Sequence, residues 1–269
     1  MYKELPSPKL LFSVLGLLVF VSSQSAFADG PGDSPTISII IDDIGYRNKE
    51  DLEALALPGP IAYAIMPHSP HAVAISKMVN ENNKDVLLHL PMEAVKDEKN
   101  HLLGPGALML DMHREDFINT LDDDFRSFPN IIGVNNHMGS LLTRHAGRMA
   151  WLMDFLHSHN IFYIDSVTSR LSVASRIARE KRVPNLRRDV FLDNRQDVEY
   201  INLQFNELIK IAKRKGSAIA IGHPHAETIS VLADKLKYLD RYGVKLISLK
   251  KMIATNNNLP QLRKVAIHP

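Results

Sequence analysis

At 269 residues with a formal net charge of +2, the chain carries too little excess charge to argue for nucleic acid as a partner. It contains no cysteine, which excludes a disulfide framework and a thiolate metal site, so any metal must sit on histidine, aspartate or glutamate. A hydrophobic fraction of 45% suits a sizeable core.

Residues 1–28 read as a signal peptide. Lys3 and Lys9 form a basic start, Leu10 to Val21 is a mostly apolar stretch, and Ala26-Phe27-Ala28 sets small residues just before Asp29. The stretch is short against the roughly 20 apolar residues of a membrane span; an uncut anchor is the alternative. Cleavage after Ala28 implies export across the inner membrane, with the periplasm as destination and no stable membrane insertion afterwards. Residues 29–35, rich in Gly and Pro, read as a flexible lead-in.

From residue 36 to residue 255 apolar runs of strand length alternate with helical patterns. The runs are 37–41, 61–65, 86–90, 131–134, 161–164, 190–192, 218–221 and 244–247. Helical spacing appears at 71–82, around Trp151, Phe155 and Leu156, at 197–215 and at 227–242. Gly216 and Gly243 stand where helices should stop. Val95 to Asp111, with Gly104-Pro105-Gly106, reads as a loop over one end of the fold. Residues 256–269 read as a polar, then basic, tail. Repeated strand–helix units predict an α/β fold with a parallel sheet, and seven or eight units favour a distorted (β/α) barrel over an open sheet.

Active sites of such barrels lie at the C-terminal ends of the strands. The runs end in Asp42-Asp43, in His68, in His89 with Glu93 beyond, in Asn135-Asn136-His137-Met138-Gly139, in Asp165-Ser166, in Asp193 and in His223-Pro224-His225. A structural sheet has no reason to collect imidazoles and carboxylates at one rim. Each residue also has a plainer reading. One of Asp42 and Asp43 could cap the helix after Gly45. His68 and His71 read as loop residues, and Asp165 and Asp193 could cap the helices that follow them. One histidine of the His223/His225 pair reads as catalytic and the other as structural. His101, His113, His145, His157 and His159 read as surface or packing.

Two histidines and a carboxylate form a common catalytic site for Zn²⁺, and also suit Fe²⁺. Beside a ligand Asp43, Asp42 is a natural general base and His223 a natural general acid. Such parts would hydrolyse an amide or ester.

Taken in order, Ile41-Asp42-Asp43-Ile44-Gly45, His89-Leu90-Pro91-Met92-Glu93, Asn136-His137-Met138-Gly139-Ser140, Tyr163-Ile164-Asp165-Ser166 and Gly222-His223-Pro224-His225 resemble the divergent polysaccharide deacetylases, part of the NodB-like superfamily. The resemblance implies that family's distorted barrel and a divalent-metal hydrolase removing acetyl groups from a glycan or oligosaccharide. It maps Asp42 to the base, Asp43 to a metal ligand and His223 to the catalytic histidine. The family's usual paired histidines become His89 and Glu93 here, and its arginine motif has no counterpart. His137 is then the replacement ligand, giving Asp43, His89 and His137, with Zn²⁺ as the first expectation. Glu93, Asn136, Asp165, Asp193 and His225 fall to substrate binding or to support of the site. The metal, with a backbone N–H of the 135–139 turn, would hold the oxyanion. The departures at Glu93 and the arginine motif keep open a protein that binds carbohydrate, or serves envelope assembly, without turnover. A hydrolase of another carbon–nitrogen bond is a third reading.

Overall fold

The computed structural model describes residues 1–2, 34–95 and 98–257. The expected signal peptide and lead-in lie almost wholly outside these residues, as does the tail beyond Asn257.

Strand and helix alternate along most of the described chain. β1 (Thr36–Ile44) is followed by α1 (Asn48–Leu55), β2 (Ala62–Ile65), α2 (Ala72–Glu81) and β3 (Asp85–Met92). A long connection with a short 3-10 turn leads to α3 (Arg114–Arg126), β4 (Gly133–Met138), α4 (Ala146–Ser158) and β5 (Phe162–Asp165). Then come α5 (Ala174–Glu180), β6 (Asn185–Arg187), β7 (Val190–Phe191), α6 (Val198–Lys215) and β8 (Ser217–Gly222). The chain closes with α7 (Ala226–Lys235), α8 (Leu239–Tyr242), β9 (Lys245–Leu246) and α9 (Leu249–Asn256). The helical pattern expected across 227–242 is therefore broken by a 3-10 turn at Leu236–Tyr238. Asn256, expected to open the tail, is the last residue of α9. Among the described residues no helix is long and apolar enough to cross a membrane.

All strand pairs are parallel, in the order β6-β5-β4-β3-β2-β1-β8-β7, with β9 on β1. β6 and β7 are two parts of one extended segment. The first part pairs with β5 and the second with β8, so this segment joins the two edges of the curled sheet. β9 takes the start of β1, at Thr36 and Ile37, while β2 takes its far end. The result is a distorted (β/α) barrel.

Two cores lie on opposite faces of this sheet. Ile37, Ile39, Ile41, Tyr63, Leu88, Val134 and Tyr163 pack outward against the helices. The alternate positions Ile40, Ala62, Ala64, Leu87, Phe162, Ile164, Ile219 and Ile221 pack inward, together with Ile132 and with Leu249, Met252 and Ile253 of α9. The period of two along each strand assigns every residue to one face. α9 closes the end where the strands begin: Asp85 Oδ2 accepts from the backbone N–H of Lys250, and Ser38 Oγ donates to the Ile247 carbonyl. The opposite end stays polar, and the alternation decides which side chains reach it.

Candidate metal centre

Asp42 continues the inward series of Ser38 and Ile40, and it is buried, with 3% of its surface exposed. Asp43 should point outward. Its φ of 58° instead lies in the left-handed region, and the β1–β2 register slips between Ile41 and Ile44. This local turn brings the second carboxylate to the same side as the first. Aspartate enters that conformation more readily than most residues because its short polar side chain bonds locally.

His89 on β3 and His137 on β4 arrive by plain alternation. Asp43 Oδ1 stands 3.1 Å from His89 Nε2 and 2.9 Å from His137 Nδ1. The two imidazole nitrogens are 3.1 Å apart. Ligand atoms held about 2.1 Å from one ion would lie roughly 3.0–3.4 Å apart, so this near-equilateral triangle is of a size that one cation could bridge. Asp43 Oδ1 is buried and has no regular hydrogen-bond partner among the described residues, although both ring nitrogens stand beside it. A buried carboxylate oxygen with two ring nitrogens beside it and no aligned donor is the environment of a cation ligand. The donor set, two imidazoles and one carboxylate, suits zinc and related divalent ions.

The charges balance in the same sense. Burial alone would push the Asp43 carboxyl up, but His137 and His89 outweigh it and hold it well below the usual carboxylate range. Burial would push His89 down, yet the charge of Asp42 and the contact with Asp43 raise it. For Asp42 burial prevails and its carboxyl is raised, despite His89 and His223.

Asn135, whose side chain has no role in the sequence analysis, links the two halves. Its Nδ2 donates to Asp42 Oδ1 at 2.8 Å, and its Oδ1 meets His89 Nδ1 at 2.8 Å. An amide oxygen only accepts, so this network assigns the His89 proton to Nδ1 and turns the Nε2 lone pair toward Asp43 and His137. Asn135→Ala should therefore weaken metal binding by about 10- to 100-fold, read by titrating apoprotein with Zn²⁺ against a competing chelator. Unchanged affinity would contradict this role.

His223 follows β8 on the inward face, with Nε2 3.8 Å from Asp43 Oδ2. Asp193 orients it. The carboxylate accepts from His223 Nδ1 at 2.9 Å, from the His223 backbone N–H at 2.6 Å and from Thr228 Oγ1 at 2.7 Å. Burial would lower the imidazole, but the Asp193 hydrogen bond and the charges of Asp43, Asp193 and Asp42 raise it to about 9. His225 Nε2 lies 3.1 Å from Gln196 Nε2 and its ring is 5.7 Å from that of His223.

Three further candidates spend their polar atoms on the scaffold, although Asn136 also lines the cavity over the cluster. Asn136 faces outward: its Oδ1 accepts from Tyr163 OH and from the Ser166 backbone N–H, both at 2.9 Å, and its Nδ2 donates to the Met138 carbonyl at 2.7 Å. Asp165, also outward, accepts from the Val167 N–H and from Ser172 Oγ. Glu93 Oε2 accepts from the Leu110 N–H at 2.6 Å and ties down the long connection after β3. His68 is more than a loop residue. Its Nε2 lies 3.0 Å from Asp124 Oδ1, and burial, with Asp123 nearby, pushes the Asp124 carboxyl up to about 9.

A cavity of about 420 Å³ opens over the cluster, lined by Asp42, His89, His137, Ser166, Phe191 and His223 among others. A wider groove of about 760 Å³ between α2, α3 and α4 is lined by Phe125, Phe128 and Phe155. Among the described residues that groove gathers no metal-ligating set.

A family model described as divergent polysaccharide deacetylase matches residues 39–253, from the first inward strand to the helix that closes the barrel. The chain belongs to the divergent polysaccharide deacetylase family. Membership places this deacetylase-family protein among the hydrolases that act on carbon–nitrogen bonds. An uncharacterised protein of Haemophilus influenzae is 37% identical over 227 residues, which are 83% of this chain and 79% of that one. The uncharacterised protein YibQ of Escherichia coli K12 is 37% identical over 196 residues, 73% of this chain and 60% of that one. The crystal structure of an uncharacterised protein from Agrobacterium tumefaciens C58 superposes with a TM-score of 0.78 at 18% identity, covering 83% of this chain and 91% of that one. That likeness shows the shared fold.

Proposed function

We propose that the protein is an exported, metal-dependent carbohydrate deacetylase that hydrolyses acetyl groups of a glycan, with Asp43, His89 and His137 holding a divalent ion, zinc first. One observation carries the reading: the three ligand atoms lie within 3.1 Å of one another. Asp42 and His223 flank them from two different strands. A divalent cation there would polarise a carbonyl oxygen and lower the pKa of a water.

The protein's own groups do the rest. Asp42, raised by burial and steadied by Asn135, takes a proton from the attacking water. His223, protonated and oriented by Asp193, gives its proton to the leaving amine nitrogen as the carbon–nitrogen bond breaks. Acetate and the free amine result, and each group returns to its first state by exchanging a proton with solvent. The cavity walls supply hydroxyl and aromatic surface suited to a sugar ring.

The test is metal analysis of the purified protein followed by acetate release from N-acetylglucosamine oligomers. Acetate release that follows metal occupancy is expected. Full occupancy without acetate would overturn the deacetylase reading and favour a carbohydrate-binding role. Export rests on the signal-peptide pattern of residues 1–28, and periplasmic protein should begin at Asp29. Recovery of the intact amino terminus from a membrane fraction would contradict cleavage.

The acid role of His223 has a pH consequence. A proton donor works below its pKa, so turnover should fall as pH rises through that of His223, which the pairing with Asp193 holds above the ordinary imidazole range. Asp193→Asn removes the main partner and should move this alkaline limb down toward the ordinary imidazole range. A kcat–pH profile checks it, and an unmoved limb would contradict the pairing.

A further inference from the structure

Ser166 lines the cavity and is 97% buried, being only 3% exposed. Its backbone is tied at both ends. The N–H donates to Asn136 Oδ1 at 2.9 Å, and the carbonyl accepts from Arg188 Nε at 2.7 Å. The next residue is fixed as well: the Val167 carbonyl accepts from Arg188 Nη2 at 3.1 Å, and its N–H donates to Asp165 Oδ1. Arg188 is itself held over the Phe191 ring, 5.0 Å from its centre.

Two features of this segment lack a purely structural purpose. Val167 has a φ of 51°, a left-handed conformation that a β-branched residue enters only under strain. The Ser166 hydroxyl, by contrast, is buried and finds no hydrogen-bond partner among the described residues. A buried hydroxyl left unpaired costs free energy that alanine would avoid. Four hydrogen bonds thus fix a strained turn whose one unused polar atom belongs to a residue that lines the cavity.

From this we propose that Ser166 Oγ is a substrate-binding group, which hydrogen-bonds a hydroxyl or amide of an N-acetylated sugar seated beside the cluster. Asn136, Asp165 and Arg188 are its positioning residues. This rests on the deacetylase reading for the identity of the ligand. The hydroxyl offers one donor and two acceptor sites, so it can read either a sugar hydroxyl or the acetamido group. The contact is made to the bound sugar and takes no part in proton transfer.

The experiment compares zinc-loaded parent and Ser166→Ala in calorimetric titration with the N-acetylglucosamine tetramer, in acetate release and in thermal unfolding. Losing one neutral hydrogen bond should weaken binding and raise KM by about 3- to 10-fold, with kcat nearly unchanged. The thermal midpoint should hold or rise, because the variant removes an unpaired buried group. A structural role would instead lower the midpoint and leave affinity alone. Equal affinity and equal KM in parent and variant, with acetate still released, would overturn this assignment and leave the deacetylase reading standing. A zinc-loaded parent that neither binds the tetramer nor releases acetate would overturn both.

Discussion

Asp43→Ala should purify with less than about one tenth of the parent's metal and release no measurable acetate. Asp43 Oδ1 is the atom that both imidazoles share, at 2.9 and 3.1 Å. Without it, two ring nitrogens 3.1 Å apart must bring a cation together with no negative charge between them. Alanine also occupies a left-handed position, where it costs roughly 1–2 kcal/mol relative to the usual conformation. Asp43→Asn separates the two effects, because asparagine accepts that backbone and yet supplies no anionic ligand. Loss of metal in both variants, with a normal thermal midpoint for Asn, is the expected pattern. His137→Ala should match them. His157→Ala, on the exposed side of α4, should change neither metal nor turnover. Full metal content in Asp43→Asn and His137→Ala would place the ion elsewhere.

Asp42→Asn should keep its metal and lose about 10²- to 10⁴-fold in kcat, the usual worth of a general base. The geometry allows the swap, since an amide oxygen can still accept from Asn135 Nδ2 in place of Asp42 Oδ1. Asp42 Oδ2 lies 3.7 Å from His89 Nε2, farther than Asp43 from either imidazole. It therefore stands beside the ligand triangle rather than in it. Metal content and kcat measured on one preparation separate the two roles. Parallel loss of both would make Asp42 a ligand.

The fold was largely legible because eight apolar runs mark where a buried parallel sheet must lie. The segment that joins its edges was half hidden. Val190 and Phe191 belong to an apolar run, but Asn185-Leu186-Arg187 has none, and this part is a strand only because β5 offers it an edge. Among the site residues, strand alternation separates two groups that look alike as sequence. Ile40, Leu87 and Ile221 face inward, and two positions on stand Asp42, His89 and His223. Val134 and Tyr163 face outward, and two positions on stand Asn136 and Asp165, whose side chains hold loops. Applied strictly, the same alternation would have picked out Asn135 and His137 together. It would also have excluded Asp43, which reaches the centre through a left-handed turn that no spacing rule signals. Ser166 stands at a strand end in the sequence, but only the structure shows that its hydroxyl is buried without a partner among the described residues.

The measurement that bears most directly on the claim is anomalous scattering from crystals of the purified protein, recorded across the absorption edge of the metal it carries. One peak about 2.0–2.2 Å from Asp43 Oδ1, His89 Nε2 and His137 Nδ1 together is the expected result. Density for a metal bound to other residues, or imidazoles of His89 and His137 turned away from Asp43, would contradict it.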